Sequence, residues 1–394
     1  MFSDRVPREL AANRLTQAVA GLTRAGRQFT DLTLSNPTRA GFEYPDDLLA
    51  PLADVRALEY APSPLGLRSA REAVARDYAR QGLDVPADRI VLTASTSDAY
   101  SMLFKLLADA GDEVLVPRPS YPLFEPLTRL DLVATRAYEL DIHGRWRIDL
   151  DSVERALTPR TRVLLLVSPN NPTGSFVSRD EFDRLAALCA AHDVAIVADE
   201  VFADYELEPG AAAHAGRAAA RRDVLSFVLG GLSKSVGLPQ VKLGWIAAAG
   251  PDAAVRGAIE RLEHICDTYL AVSTPVQVAA GALLERGAAI RDQIVGRVRG
   301  NYATVREKAA AEPSVRVLPG DGGWYAVLQV PTLGSEEDLV VDLLATDEVL
   351  VHPGYFFDFP HESFLIVSLL PPPAAFTRGV ERLLRHFACS VGRS

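Results

Sequence analysis

A lysine at position 234 lies among small and turn-forming residues, in the stretch GGLSKSVGLP at 230–239. A lysine in such a setting can capture an aldehyde covalently as a Schiff base. Lysine–serine pairs also occur in ordinary solvated loops, so this stretch alone does not distinguish a Schiff-base lysine from a loop residue. Two further polar segments precede it, SPNNPTG at 168–174 and ADEVF at 198–202. Each of the three follows a strand-like run, in an order that could surround one aromatic cofactor.

Short apolar runs alternate with helical patterns along the first two thirds of the chain. We predict strands at 90–92, 113–116, 162–167 and 194–198, and helices at 97–108 and 179–191. Apolar strands separated by helices are typical of a mainly parallel sheet that is covered on both faces. Ligands of such sheets bind at the carboxyl ends of the strands. The segment TASTS at 93–97, the NNPTG turn and Asp199 all fall at such ends.

The length of 394 residues predicts two or three domains. The pattern changes near Pro275, where a helical stretch runs to about Ala311 and could link two units. We therefore predict an N-terminal segment at 1–45, a large α/β domain at 46–275, and a linking helix with a smaller α+β domain at 276–394.

The composition favours small-molecule chemistry. Hydrophobic residues make up 48% and charged residues 23%, as in soluble globular proteins. The net charge of -10 gives no reason to expect nucleic acid or an anionic membrane as a partner. The three cysteines, Cys189, Cys266 and Cys389, show no pairing typical of disulfides or zinc, so we expect inert thiols and no metal. Without a signal peptide or an apolar run of about 18 residues, we expect a cytoplasmic protein.

Four positions together resemble the fold-type I pyridoxal-phosphate enzymes, specifically the class I and II aminotransferases related to aspartate aminotransferase. Asn171, Asp199, Ser233–Lys234 and a basic residue at Lys242 occur in that family's order and at about its spacing. The resemblance extends from about Asp31 to the C-terminal helix. It implies a large domain with a mainly parallel sheet flanked by helices, a smaller α+β domain, and pyridoxal 5′-phosphate as the cofactor.

The resemblance implies a role for each polar side chain around the cofactor ring. Lys234 would form the Schiff base and move a proton at the substrate α-carbon. Asp199 would pair with the pyridine nitrogen and keep it protonated. Asn171 would donate to the phenolic oxygen, and Tyr121 would stack on the ring. Tyr121 could instead be an ordinary aromatic residue of a turn.

The resemblance also implies a phosphate site at the start of the helix that follows the first strand. Ser95, Thr96 and Ser97 would supply hydroxyl and N–H groups at the positive end of the helix. Ser233 and Lys242 would complete the site. Runs of serine and threonine before a helix are more often only N-caps.

Two residues of a neighbouring subunit contribute to the site in the family. They align with Tyr60 and Ser273. If this carries over, a homodimer is the functional unit.

Two departures from the family concern the cofactor. Most relatives have arginine where this chain has Lys242, which keeps the charge but loses the bidentate geometry. The usual tyrosine three positions after the aspartate is Phe202, so one hydrogen bond to the phenolic oxygen is missing. We expect this loss to raise the pKa of the Schiff base.

A third departure concerns the substrate. Relatives carry an arginine that grips the substrate α-carboxylate in the strand before the last helix, but here the matching position is Ile366, in the sequence SFLIVSL. Arg378 could substitute only through a shifted alignment, and it fits a solvated helix face better. Either Arg39 in another loop binds the carboxylate, or the substrate has none. Arg39 could equally be a surface charge.

Two further features bear on the substrate. The position that binds a side-chain carboxylate in aspartate aminotransferase is Tyr269 here, which disfavours a dicarboxylate. The segment VHPGYFFDF at 351–359 matches the family's mobile loop and could wall an apolar or aromatic pocket, or could simply pack the small domain. His352 in this segment is more often a structural residue.

The resemblance implies an aminotransferase that moves an amino group from an amino donor to a 2-oxo acid. Elimination, decarboxylation and amine oxidation use the same cofactor contacts and stay open as alternatives. A non-catalytic sensor is disfavoured because the roughly thirty residues before the first core strand are too few for a DNA-binding domain.

Overall fold

The computed structural model describes residues 2–8, 11–331 and 334–391. Its helices, numbered in chain order, are α1 Arg14–Arg24, α2 Arg68–Arg80, α3 Thr96–Leu107, α4 Phe124–Leu130, α5 Leu150–Ala156, α6 Arg179–Ala191, α7 Leu232–Ser235, α8 Asp252–Tyr269, α9 Thr274–Arg286, α10 Ala288–Ala309, α11 Glu336–Thr346 and α12 Pro373–Val391. Short 3-10 turns occur between several of them, among them Pro37–Arg39 and Gly354–Phe357.

The strands are β1 Thr30–Asp31, β2 Ile90–Thr93, β3 Glu113–Arg118, β4 Ala134–Ile142, β5 Trp146–Ile148, β6 Thr161–Val167, β7 Ala195–Asp199, β8 Ser226–Gly231, β9 Gly244–Ala249, β10 Arg316–Val317, β11 Tyr325–Gln329, β12 Val349–Leu350, β13 His352–Pro353 and β14 Phe364–Ser368. The predicted strands and helices of the first two thirds lie within a residue or two of these bounds.

Eight strands form the large sheet, in the order β2-β9-β8-β7-β6-β3-β4-β5. The pairs from β8 through β4 are parallel, whereas β9 runs antiparallel to both of its neighbours and β5 antiparallel to β4. The sheet is therefore mainly parallel, as predicted.

The core explains why these strands are apolar throughout. Neighbouring residues of one strand, such as Val163 and Leu164, belong to different buried clusters, one on each face of the sheet. Successive side chains of a strand point to opposite faces, so both faces must be covered. Helices cover both, and the polar ends of the strands are left as the place where a ligand can be reached.

A second, four-stranded antiparallel sheet has the order β10-β11-β14-β13. The N-terminal strand β1 pairs in parallel with β12 beside it, which brings the start of the chain to the C-terminal part. These two sheets and the large one make up the predicted α/β plus α+β class. The predicted domain limits at 45 and 275 stay a prediction.

The helical stretch expected from Pro275 to about Ala311 is present, but it is divided into two helices, α9 and α10, that meet at Gly287. A Cβ atom built on Gly287 would lie 2.5 Å from the Cβ of Val236 and 2.7 Å from the carbonyl oxygen of Leu283. Glycine therefore lets this junction pack directly on the segment that follows Lys234. Such a contact between distant segments leaves no mark in helical periodicity.

No helix in the described part of the chain is both long and apolar enough to cross a membrane. Cys189 and Cys266 are buried and free. The side chain of Cys389 lies outside the described residues.

Candidate active site

The backbone at Lys234 is held from several directions. It lies in α7, one short helical turn directly after β8. The Tyr205 hydroxyl donates to the carbonyl oxygen of Lys234. The Ser235 hydroxyl donates to the carbonyl oxygen of Gly231 over 3.0 Å. The lysine side chain therefore starts from a fixed position at the carboxyl end of a central strand.

The amine of Lys234 lies beside two aromatic rings that pack against each other, with ring centroids 5.2 Å apart. Its Nζ is 5.1 Å from the ring centroid of Trp324 and 5.7 Å from that of Phe202. Within the described residues, no hydrogen bond or ion pair engages this nitrogen. Burial lowers the pKa of Lys234, and the charge of Asp199 opposes this shift. The side chain is thus a nucleophile with its amine available to a ligand.

Asp199 ends strand β7, and both of its carboxylate oxygens accept a hydrogen bond. The backbone N–H of Val201 donates to Oδ1 over 3.1 Å, and the Tyr100 hydroxyl donates to Oδ2 over 3.0 Å. Burial nevertheless raises the pKa of Asp199 to about 6, while these two hydrogen bonds and the charge of Lys234 oppose the shift. A positively charged partner would remove most of this penalty.

Asn171 lies in a tight, buried turn beside Asp199. The N–H of Gly174 donates to the carbonyl oxygen of Asn170 over 2.8 Å, and the N–H of Ser168 donates to that of Asp199 over 2.9 Å. The turn is therefore tied to the end of β7. The side-chain Oδ1 of Asn171 is buried and has no hydrogen-bond partner in the protein. A buried amide oxygen without a donor is a place where a donor group of a ligand can complete the hydrogen bond.

Tyr121 is 41% exposed, so its ring is available to stack on a ligand. Its position is set by the preceding residue, because the N–H of Ser120 donates to the carbonyl oxygen of Phe357 over 2.9 Å. The aromatic segment at 351–359 therefore contacts the large domain next to Tyr121.

The predicted phosphate site falls at the N-terminus of α3. Ser95 is its N-cap, and its hydroxyl accepts a hydrogen bond from the N–H of Asp98 over 3.1 Å. Ser95 therefore caps the helix, as expected for a serine that precedes one. Thr96 and Ser97 lie in the first helical turn, where free N–H groups favour an anion. Ser233 is partly exposed and Lys242 is exposed.

The substrate side lacks the expected guanidinium. Ile366 is fully buried and pairs with Val327 and His352 in neighbouring strands. Its whole strand β14 reads FLIVS, so an alignment shifted by one residue would not supply an arginine. Arg378 is exposed on α12, as expected for a solvated helix face.

Arg39 ends the 3-10 turn Pro37–Arg39 and is exposed. In the described part of the chain, no carboxylate forms an ion pair with it. The preceding Ser35 hydrogen-bonds Tyr325, whose hydroxyl is close enough to Tyr121 for the two to interact electrostatically. The loop that carries Arg39 therefore lies on the same side as Tyr121.

The aromatic segment is partly core. Phe357 and Phe359 are buried. The Phe357 ring packs against Tyr325 and His352, with centroids 6.2 and 5.7 Å apart. Burial lowers the pKa of His352 to about 4, so this imidazole is neutral at neutral pH. Tyr355 is 38% exposed. Packing of the small domain thus accounts for the two phenylalanines and not for Tyr355.

Tyr60 and Ser273 lie on an exposed surface. Tyr60 is 74% exposed and Ser273 is also exposed. Tyr269, on the same surface, is 55% exposed and lies 5.9 Å from the amine of Lys105. Between Tyr60 and the start of α9 runs a groove with an empty volume of about 480 Å³.

Sequence reasoning missed three residues of the site: Tyr100, Tyr205 and Trp324. Tyr100 follows the Ser95–Thr96–Ser97 run within about one helical turn, which is the only sequence signal that could have suggested it. Trp324 comes from the C-terminal part of the chain. Trp324 and Tyr205 are both far from Lys234 in sequence, so local spacing could not predict that they lie close to it in the fold.

These features bring an amine, a buried carboxylate and a helix N-terminus to the strand ends of an α/β fold. The model for "Aminotransferase class I and II" matches residues 43–383. An alanine aminotransferase of Mycobacterium tuberculosis is 30% identical over 380 residues, which is 93% of this chain and 87% of the relative. A glutamate-pyruvate aminotransferase of Escherichia coli is 29% identical over 88% of each chain.

Solved structures agree on the fold. An aspartate aminotransferase of Thermus thermophilus superposes with a TM-score of 0.83 and 25% identity, covering 98% of this chain and 99% of that one. An alanine aminotransferase of Pyrococcus furiosus reaches 0.88 with 22% identity, covering 98% and 100%. The chain belongs to the class I and II aminotransferases. The predicted fold class, cofactor and transferase activity are thereby confirmed, and the enzyme uses pyridoxal 5′-phosphate.

Proposed function

We propose that the protein transfers an amino group from a monocarboxylic amino acid with an apolar or aromatic side chain to a 2-oxo acid. The observation that supports it most is the half-buried Lys234. Its amine has no hydrogen bond to the described residues, lies beside the rings of Trp324 and Phe202, and is within electrostatic reach of Asp199. Bound pyridoxal phosphate would supply an electron sink for the electrons released at the substrate α-carbon.

The residues around the site fit this cofactor. Lys234 would hold its aldehyde covalently as a Schiff base. Asp199 would face the ring nitrogen, whose positive charge compensates the buried carboxylate. The amide nitrogen of Asn171 would donate to the phenolic oxygen, and the exposed ring of Tyr121 would stack on the cofactor face.

The phosphate would bind at the N-terminus of α3. Thr96 and Ser97 offer N–H and hydroxyl groups there, and Ser233 and Lys242 add a hydroxyl and a positive charge. Because the Ser95 hydroxyl already accepts the N–H of Asp98, we assign Ser95 to the phosphate through its own hydroxyl hydrogen, which stays free to donate.

Lys234 is also the proton carrier. An amine serves as a base only when it is neutral, and burial of Lys234 lowers its pKa in that direction. Its Nζ would accept the proton from the substrate α-carbon and return it during product formation.

The substrate preference rests on the small domain and on the relatives. Tyr269 offers no positive charge to a side-chain carboxylate, and Tyr355 presents an exposed aromatic ring. Curated relatives include alanine aminotransferases and a human tyrosine aminotransferase that is 27% identical over 84% of this chain and 75% of that one. We propose that Arg39 binds the α-carboxylate, because β14 has no arginine and Arg39 is exposed without a carboxylate partner in the described chain.

A homodimer would complete the site. The surface near Tyr60 carries further exposed apolar residues, Val55, Leu58, Tyr269 and Leu270. Contiguous exposed apolar groups mark an interaction surface, and a second copy that delivers Tyr60 and Ser273 to the phosphate would cover it.

Mixing two inactive variants tests this arrangement. Lys234→Ala and Tyr60→Ala subunits should regain activity when they are co-expressed, because one hybrid site then contains both Lys234 and the partner's Tyr60. Two subunits that stay inactive together would show that Tyr60 acts on its own chain, and a Tyr60→Ala enzyme that is active alone would remove Tyr60 from the site. We also place the enzyme in the cytoplasm, with two free buried thiols as the support.

A panel of amino acids tests the reaction itself. We expect alanine, methionine, phenylalanine and tyrosine to convert the purified enzyme to the pyridoxamine form and to release the matching 2-oxo acids. Aspartate and glutamate serve as dicarboxylate controls and should react more slowly. Release of ammonia with pyruvate, or of carbon dioxide, would contradict aminotransfer and identify elimination or decarboxylation.

A further inference from the structure

The hydrogen bond between Tyr100 and Asp199 joins helix α3 to the end of strand β7. We propose that Tyr100 is a positioning residue, whose hydroxyl holds the Asp199 carboxylate in the orientation that binds the pyridine nitrogen. This inference rests on the proposed function, since it assumes that Asp199 meets that nitrogen.

The geometry at Asp199 supports an orienting role. Val201 holds Oδ1 through its N–H, and Tyr100 holds Oδ2 through its hydroxyl, over 3.1 and 3.0 Å. One donor on each oxygen fixes the plane of the carboxylate. Each oxygen has two acceptor positions, so one remains on each for a ring N–H. A donor bond to the charged form also favours that form over the protonated one.

Tyr100 is itself immobilised. It is 3% exposed, and its ring centroid lies 6.0 Å from that of Phe104 and 5.6 Å from that of Phe124. Phe104 is on the same helix α3, whose N-terminus is the proposed phosphate site. Phe124 follows Tyr121 by three residues. One side chain therefore links the groups proposed for the phosphate, the ring face and the ring nitrogen.

The phenol remains a donor throughout the neutral range. Burial and the charge of Asp199 raise the pKa of Tyr100 well above its usual value. Tyr100 therefore contributes a neutral hydrogen bond and no charge, which distinguishes it from Lys234.

The test compares two phenylalanine variants. Tyr100→Phe removes only the hydroxyl and keeps the ring contacts. Tyr138→Phe is the matched control, because it also removes one buried hydroxyl. Tyr138 is 1% exposed, and its hydroxyl donates to the carbonyl oxygen of Leu165 over 2.7 Å and not to Asp199. The apo-protein is titrated by calorimetry with 4-deoxypyridoxine 5′-phosphate, which lacks the aldehyde, and with its analogue that has carbon in place of the ring nitrogen.

We expect Tyr100→Phe to bind the nitrogen-containing analogue about tenfold more weakly than the parent, equivalent to roughly 1.4 kcal/mol. The dissociation constant of the carbon analogue should change by less than about twofold. Tyr138→Phe should match the parent for both compounds, and the kcat of Tyr100→Phe should fall with an unchanged KM for the amino donor.

Equal weakening toward both analogues would overturn the inference, because a loosened fold has that effect without acting through the nitrogen. Unchanged binding would overturn it as well. If the parent protein itself bound neither analogue, the proposed function would fail and not only the role of Tyr100.

Discussion

The cofactor end and the substrate end of this molecule differ in how far they keep to their family. At the carboxyl ends of β7 and β8, Asp199 and Lys234 occupy the expected places, and the structure surrounds them with buried partners. On the small sheet, β14 reads FLIVS and has no arginine, although the family resemblance predicts one there.

The difference shows that cofactor chemistry and substrate recognition are separable in this fold. The groups proposed to hold the cofactor come from the large sheet, so they remain aligned whatever the small sheet presents. A change in substrate can therefore arise from β14 and the Arg39 loop while Lys234 and Asp199 stay as they are.

The largest effect is expected at the cofactor end. Asp199→Asn should lower kcat by about 10³-fold, because a neutral amide no longer keeps the ring nitrogen protonated. Steady-state rates with the best amino donor measure this. Asp199→Glu is the control that keeps the charge. An Asp199→Asn enzyme within about tenfold of the parent would remove this carboxylate from the proposed chemistry.

The same substitution should stabilise the apo-protein. In the folded protein, burial raises the pKa of Asp199 from its usual 3.8 to about 6. The unfolded chain therefore releases the proton first, so stability is lost as pH rises between these values and stays lost above. Asp199→Asn should add up to about 3 kcal/mol at pH 7 and little at pH 4, by urea unfolding. An equal gain at both pH values would contradict ionisation as the cause.

At the substrate end, Arg39→Ala should raise KM for the amino donor about 30-fold with a smaller change in kcat, as expected for loss of one charged hydrogen-bonded pair. Arg378→Ala is the matched control, since it removes an exposed arginine of α12 and should leave both constants unchanged. If Arg39→Ala also left KM unchanged, the substrate would be bound without this guanidinium.

The smallest effect concerns Phe202. Phe202→Tyr adds the hydroxyl that relatives place near the phenolic oxygen, and should lower the spectroscopic pKa of the bound cofactor by about one unit. Absorbance titrations of both enzymes measure it. A pKa that moves upward or not at all would show that residue 202 does not reach that oxygen.

Local pattern predicted the strand ends well, because an apolar run followed by Asp199 or by Ser233–Lys234 marks the edge of a parallel sheet. It could not predict Trp324, which reaches Lys234 from the small domain, or the bond between Tyr100 and Asp199, which are 99 residues apart. The division between α9 and α10 at Gly287 was not predicted for the same reason. These contacts depend on packing between distant segments, which the local hydrophobic periodicity does not predict.

Reduction of the purified enzyme with borohydride, followed by peptide mapping, tests the central claim most directly. We expect the cofactor to become fixed to the peptide that contains Lys234 and to no other. A label on a different lysine, or an enzyme whose Lys234 peptide stays unmodified while the cofactor absorbance is lost, would contradict it.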